Sequence, residues 1–315
     1  MARIVVTGGA GFVGSHLCDA LLARGDEVVA VDNLSTGRLD NIAHLDDNAA
    51  FTFVQADVCD GVPVDGKIDG ILHFASPASP PEYLAIPLET MDVGSLGTRH
   101  ALDLARANDA RFLLASTSEI YGDPLEHPQR ESYNGNVDPT APRSVYDESK
   151  RFAETLTMTY HRLYGLPTAI VRIFNTYGPR LQPADGRVVS NFLMQALAGA
   201  PITIYGTGEQ TRSFCFVEDE VRGLLALFDA EVREPVNIGN PDEFTMLELA
   251  HLVRELTESK SELCFEPLPF GDPTRRRPDI TRARTLLGWE PTIGLRDGLA
   301  RTRDWYVAEA ARGRA

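Results

Sequence analysis

Tyr146 and Lys150 stand four residues apart in Ser144-Val145-Tyr146-Asp147-Glu148-Ser149-Lys150, a spacing that puts both side chains on one face of a helix. A phenol with a pKa near ~10 is a poor base at neutral pH. An ammonium beside it, together with a cationic nicotinamide ring in the same cleft, favours the phenolate, which then takes a proton from a sugar hydroxyl as hydride leaves. Only three of the 30 cationic residues are lysines, Lys67, Lys150 and Lys260, so a correctly spaced lysine carries more information than usual. Thr117 ends the apolar run Arg111–Thr117 and can give the phenol a further hydrogen bond, and Ser118 and Glu119 follow at the same edge.

A second cluster sits near the N-terminus in Thr7-Gly8-Gly9-Ala10-Gly11-Phe12-Val13-Gly14. Gly8, Gly11 and Gly14 fall between a β-branched run and a helical pattern, where glycines permit a tight turn and let backbone amides approach a pyrophosphate. The spacing is G-x-x-G-x-x-G rather than G-x-G-x-x-G, so the context must support it. Asp32, 18 residues beyond Gly14, ends the next strand and can accept both hydroxyls of an adenosine ribose. A carboxylate there repels a 2′-phosphate, which favours NAD over NADP, although Arg38 lies nearby. Asp57, ending a third strand, can reach an adenine amine or simply cap its turn.

These residues need a frame, and the hydrophobic pattern supplies one. Strand-like runs at Arg3–Thr7, Glu27–Asp32, Phe51–Val58, Gly70–Ala75, Arg111–Thr117 and Thr168–Phe174 alternate with helical patterns. The helices are expected at Gly11–Arg24, Glu82–Ala107 and Ser144–Tyr164. This alternation predicts an α/β fold of the Rossmann type, a doubly wound parallel sheet with helices on both faces. Residues 1–175 read as the NAD-binding domain with the Tyr/Lys helix included. Residues 176–315 read as a smaller C-terminal substrate-binding lobe built of shorter elements, with some chain returning to the sheet.

Composition narrows the function. A formal charge of −15 over 315 residues disfavours nucleic-acid and anionic-membrane partners, and no apolar run approaches the length of a membrane span. No secretory signal is apparent, so the expectation is cytoplasmic. Four scattered cysteines without C-x-x-C, and histidines without metal spacing, predict neither a disulfide framework nor a metal site. His73, inside an apolar run, reads as packed. Ser79 lacks the G-x-S-x-G elbow of a serine hydrolase. Arg180, Arg187, Arg212 and the run Arg275-Arg276-Arg277 are candidate partners for a diphosphate, although three consecutive arginines also suit a solvated face.

Five stretches carry a resemblance: Ala75-Ser76-Pro77-Ala78-Ser79-Pro80-Pro81-Glu82-Tyr83, the segment 116–124 around Thr117, the segment 142–151 around Tyr146, Arg172–Arg180, and Gly186-Arg187-Val188-Val189-Ser190-Asn191-Phe192. Through them the chain resembles the extended short-chain dehydrogenase/reductase family of sugar-nucleotide enzymes, and within it the UDP-glucuronate decarboxylases that make UDP-xylose. The resemblance implies that Gly8, Gly11, Phe12, Val13, Gly14, Asp32, Asn33, Ser35, Thr36, Gly37, Asp57, Val58, Phe74, Ser76, Tyr146 and Lys150 bind NAD. It implies catalytic roles for Thr117, Ser118, Glu119, Tyr146, Lys150 and Arg276, and UDP-sugar contacts for Asn175, Arg187, Val188, Tyr205, Arg212 and Arg276. It also implies a homodimer joined through a four-helix interface formed by the two long helices. The chain departs from the family pattern at Asp92 and Gly94, where lysine and asparagine are common.

Three other functions fit the same fold. A dTDP-glucose 4,6-dehydratase typically has an Asp-Glu pair after the threonine, where this chain has Ser118-Glu119. A nucleotide-sugar 4-epimerase shares the oxidation step. A non-catalytic nucleotide-sugar or NAD binding protein has no need of the Thr117, Tyr146 and Lys150 set.

Overall fold

The computed structural model describes residues 1–267 and 275–313. The chain starts as alternating elements: β1 (Arg3–Thr7), α1 (Phe12–Ala23), β2 (Glu27–Asp32), β3 (Phe51–Gln55), β4 (Gly70–His73), α2 (Pro80–Ala85), α3 (Pro87–Asp92), α4 (Thr98–Asn108), β5 (Arg111–Thr117), α5 (Ser144–Tyr164) and β6 (Thr168–Ile173). Shorter ones follow: β7 (Thr176–Tyr177), α6 (Val188–Leu197), β8 (Ile202–Tyr205), β9 (Thr211–Ser213), β10 (Cys215–Phe216), α7 (Val217–Asp229) and β11 (Val236–Ile238). The last are β12 (Glu243–Thr245), α8 (Met246–Leu256), β13 (Leu263–Glu266), β14 (Arg275–Arg276), α9 (Thr281–Leu287) and α10 (Leu295–Ala311).

Seven strands form one parallel sheet in the order β3-β2-β1-β4-β5-β6-β11. The winding direction reverses between β1 and β4, and a crevice opens beyond their carboxyl ends, where such sheets bind ligands. Alternate residues face opposite sides, so Ile4, Val6, Val28, Ala30 and Leu72 join one core while Val5, Val29, Val31 and Ile71 join the other. With both faces covered, the strands read as continuous apolar runs rather than alternating ones. Strand β11 comes from the second half of the chain, and the first core continues from Leu17 through Phe192 and Leu249 to Trp289. The two halves therefore share one interior.

One expected element is different. The single long helix at Glu82–Ala107 is broken at Ile86-Pro87, and beyond it the chain stays helical from Pro87 to Asn108 with a π turn at Val93–Gly97 inside it. Pro87 has no N–H for the carbonyl one turn back, and its ring crowds that carbonyl. Helix α5 is continuous as expected, and Gly165 closes it at φ +69°.

A buried acid in α7 gives a stability prediction. Glu220 is fully buried; its Oε2 accepts from Thr176 Oγ1 at 3.3 Å, and its Oε1 has no hydrogen-bond partner. Burial pushes this carboxyl well above its ordinary value, so the folded chain keeps a proton that the unfolded chain loses above about pH 4.5. Stability therefore falls as pH rises through that window. Glu220→Gln is expected to flatten the fall and to raise stability by roughly 1 kcal/mol at alkaline pH, as read by thermal melts from pH 5 to pH 9. Parallel melting curves for the two proteins across that range contradict this.

Candidate active site

The cleft at the sheet's carboxyl edge has a volume of about 600 Å³. Its floor is the turn after β1. Gly8 adopts φ +72°, open to glycine at no steric cost, and a side chain on Gly14 would collide with the Gly8 carbonyl. Helix α1 then opens at Phe12 with no side-chain cap and no acid in its first turn, which leaves its amides and positive dipole end to an anion. Gly11, Phe12, Val13, Thr36, Phe74 and Ser76 also line the cleft. The residues present fit a dinucleotide pyrophosphate.

The remaining adenosine-end candidates are not among the residues lining the cleft. Asp32 is 7% exposed; its Oδ2 accepts from the Ala10 amide at 3.0 Å and its Oδ1 from the Leu34 amide at 2.8 Å. Burial raises its carboxyl against those two bonds. Gly37 packs against the same carboxylate, Asn33 Nδ2 donates to Asp57 Oδ2 at 2.9 Å, and Ser35 follows Asn33 on the surface turn. Val58 is buried and packs against Gly97.

At the other end, β5 delivers Thr117, Ser118 and Glu119 to the cleft and α5 delivers Tyr146 and Lys150. Tyr146 is buried, with the Thr117 side chain near its phenol, and stacked on Tyr83 with centroids 5.0 Å apart and an interplanar angle of 3°. Lys150 Nζ donates to Ala115 O at 3.0 Å and lies 5.7 Å from the Tyr146 ring centre. Burial lowers its ammonium to about 8. The same desolvation pushes the Tyr146 phenol well above its ordinary value, against the lowering effect of Thr117 and with the Glu119 anion adding to the rise. The Arg187 charge opposes this rise without overcoming it.

Glu119 sits between two guanidiniums. Arg143 Nη2 donates to its Oε2 at 3.0 Å, and Arg276 Nη1 donates to its Oε1. Burial alone raises such a carboxyl, but Arg276 and then Arg143 outweigh it and hold Glu119 ionised, well below the carboxylate range. Of the three consecutive arginines, strand alternation chooses one: Arg275 is exposed, Arg276 is 4% exposed and enters the site, and Arg277 turns to Glu243 at 3.5 Å. Strand β14 pairs with β9 so that Arg276 stands beside Arg212.

The substrate-side candidates Asn175, Arg187, Val188, Tyr205 and Arg212 converge on the same cleft. Arg187 is clamped by Asp185, its Nη2 donating to Oδ2 at 2.8 Å. Arg180 also reaches the wall but is committed to Asp19 at 2.7 Å. Asp92 is exposed and is not part of the cleft lining. Among the described residues no group of three or more His, Cys, Asp or Glu could hold a metal. Arg143 and Tyr83 are members of the site that were not singled out from sequence. Both lie inside the recognised stretches, and the signal for Arg143 was its place three residues before Tyr146.

Residues 4–239 match the NAD dependent epimerase/dehydratase family. UDP-glucuronic acid decarboxylase 1 of Arabidopsis thaliana is 54% identical over 299 residues, covering 95% of this chain and 68% of that protein. UDP-glucuronic acid decarboxylase 1 of Danio rerio is 49% identical over 307 residues, covering 98% and 73%. The chain thus spans about two thirds to three quarters of these relatives. Among solved structures, UDP-glucuronic acid 4-epimerase from Bacillus cereus, in complex with UDP-glucuronic acid and NAD, superimposes with a TM-score of 0.87 at 29% identity, covering 97% of this chain and 99% of that one. DesIV, a dTDP-glucose 4,6-dehydratase from Streptomyces venezuelae with NAD and TYD bound, gives 0.89 at 29% identity, covering 98% of each.

Proposed function

The chain belongs to the NAD dependent epimerase/dehydratase family, and on that premise we propose that it decarboxylates UDP-glucuronate to UDP-xylose through a 4-keto intermediate. NAD, when bound, accepts the C4 hydride and later gives it back. Tyr146 takes the proton of the C4 hydroxyl, with Thr117 near the phenol and Lys150 holding the cofactor side of the pair. A ketone at C4 makes the C6 carboxylate a β-keto acid, whose C5–C6 electron pair flows to the C4 oxygen as CO₂ departs. A proton then adds to C5. That proton comes from solvent, and Glu119, held as an anion, orders Arg276 at the edge of the cleft. Tyr146 finally returns a proton to the C4 oxygen.

The observation that carries this reading is the pairing of Ser118 with an ionised Glu119 beside Arg276. Elimination of water across C5 and C6 needs an acid for the leaving hydroxyl, and neither a serine nor a carboxylate locked by two arginines provides one. Loss of CO₂ needs no acid at that step. The 49–55% identity to UDP-glucuronic acid decarboxylases supports the same choice over dehydratase or epimerase. Incubation with UDP-glucuronate and substoichiometric NAD, read by mass spectrometry, is expected to yield UDP-xylose and CO₂ over many turnovers. UDP-galacturonate without loss of CO₂ overturns the reading in favour of an epimerase.

A homodimer is part of the proposal. Leu84, Leu88, Met91 and Leu96 are exposed along 80–97, and Phe152 is exposed on α5, which packs against that segment. Exposed apolar side chains gathered on adjoining helices support an interface between copies. Sedimentation at micromolar concentration is expected to give a dimer, and Leu88→Asp with Phe152→Asp a monomer; an unchanged mass contradicts this face. A cytosolic setting belongs to the same reading, supported by four cysteines that are all unpaired.

A further inference from the structure

The π turn Val93–Gly97 lies against the helix that carries Tyr146 and Lys150. Its inner side is fixed by hydrogen bonds running in one direction. Thr7 Oγ1 accepts from the amides of Phe74 and Ala75 at 3.2 and 3.3 Å, so its own proton goes to His73 Nδ1 at 2.8 Å. His73 is fully packed, and burial, aided by the Lys150 charge, lowers its imidazolium to about 3. The neutral ring therefore carries its proton on Nε2 and donates to Thr98 Oγ1 at 3.2 Å, while Thr98 Oγ1 donates to Val93 O at 3.3 Å, five residues back. The turn is tied to β1 and β4 and has little freedom to move.

Its outer side has no room for a side chain. A Cβ on Gly94 would lie 2.6 Å from the Cβ of Ser149 and 3.1 Å from the Ser149 carbonyl oxygen. Ser149 is itself held, its Oγ donating to Val145 O within α5. The next residue is Lys150, tied to β5 through Ala115 O. A side chain at 94 must therefore displace either a pinned turn or the catalytic helix at the position before its lysine.

We infer that Gly94 and Ser149 form a reciprocal contact, one partner lacking a Cβ so that the other can keep one, which sets how deeply the Tyr146–Lys150 helix sits over the cofactor cleft. Gly94 is thus a positioning residue for the proposed reaction and touches neither substrate nor cofactor. The inference rests on the reading above for the roles of Tyr146 and Lys150. Displacements near 1 Å at a reacting pair cost roughly 100-fold in rate, and a methyl group at 94 demands a shift of several tenths of an ångström.

The test uses the full chain as Gly94→Ala, Ser149→Gly and the double variant. Three quantities are read: the dissociation constant for NAD, the single-turnover rate of nicotinamide reduction by UDP-glucuronate, and the melting temperature. Gly94→Ala is expected to weaken NAD binding and slow reduction by roughly tenfold or more, with KM for the UDP-sugar within about threefold. Ser149→Gly should stay near wild type, and the double variant should return to within about threefold of wild type on both counts. Wild-type NAD binding and reduction in Gly94→Ala overturn the inference, as does a double variant no better than Gly94→Ala. If Gly94→Ala does not fold, a folded and active double variant shows the same reciprocity, and an unfolded or inactive one overturns it. NAD affinity is read without substrate, so a wild type that fails to make UDP-xylose refutes the decarboxylase reading and leaves this contact to be judged on its own.

Discussion

Phenylalanine at position 146 is expected to lower kcat for UDP-xylose formation by roughly 10³-fold while leaving the protein folded. The ring is buried and stacked on Tyr83, and phenylalanine keeps both the burial and the stack. Only the hydroxyl is lost. Lys150 cannot replace it as base while charged, because an ammonium has no lone pair. Burial raises the phenol, so its base form grows as pH increases. Wild-type kcat/KM should therefore rise with pH on a limb that Tyr146→Phe lacks. Kinetics from pH 6 to pH 9 with UDP-glucuronate check this, and a variant within tenfold of wild type removes Tyr146 from the chemistry.

Loss of the Arg276 guanidinium carries the second large effect, and it acts on stability as well as rate. Arg276 is 4% exposed, and its partner Glu119 has a side chain 18% exposed. Removing Arg276 leaves Glu119 paired with Arg143 alone, at a cost of about 2 kcal/mol. Arg276→Met is expected to show that loss in urea melts, together with a fall in kcat of roughly 10²–10³-fold. Adding Glu119→Gln relieves the half-compensated charge and should recover part of the stability. Activity should stay low, because the positive group facing the cleft is still missing. Recovery of activity in the double variant would mean that the pair is structural only.

What the sequence disclosed and what it concealed follow from how local each signal is. Tyr146 and Lys150 were legible because helical spacing alone puts them on one face, and α5 is a single unbroken helix. The glycines before α1 were legible because the turn needs both φ +72° at Gly8 and space at Gly14. The parallel sheet followed from apolar runs covered on two faces. The break and the π turn in the segment 82–107 were hidden because an amphipathic pattern continues across them; Pro87, Gly94 and Gly97 were their only marks. Which of Arg275, Arg276 and Arg277 enters the site depends on the register of β14 against β9, a long-range pairing. Tyr83 owes its place to packing on Tyr146, which no local pattern encodes, and Arg143, which reaches Glu119, is marked locally only by its place three residues before Tyr146.

The proposed reaction turns on a hydride that leaves the fourth carbon of the sugar and comes back to the same carbon within one turnover. UDP-glucuronate carrying deuterium at C4, converted in ordinary water, tests this directly by NMR of the product. UDP-xylose with the label intact at C4 is the expected product. Label lost to water, or one equivalent of reduced cofactor left for each CO₂ released, would contradict it.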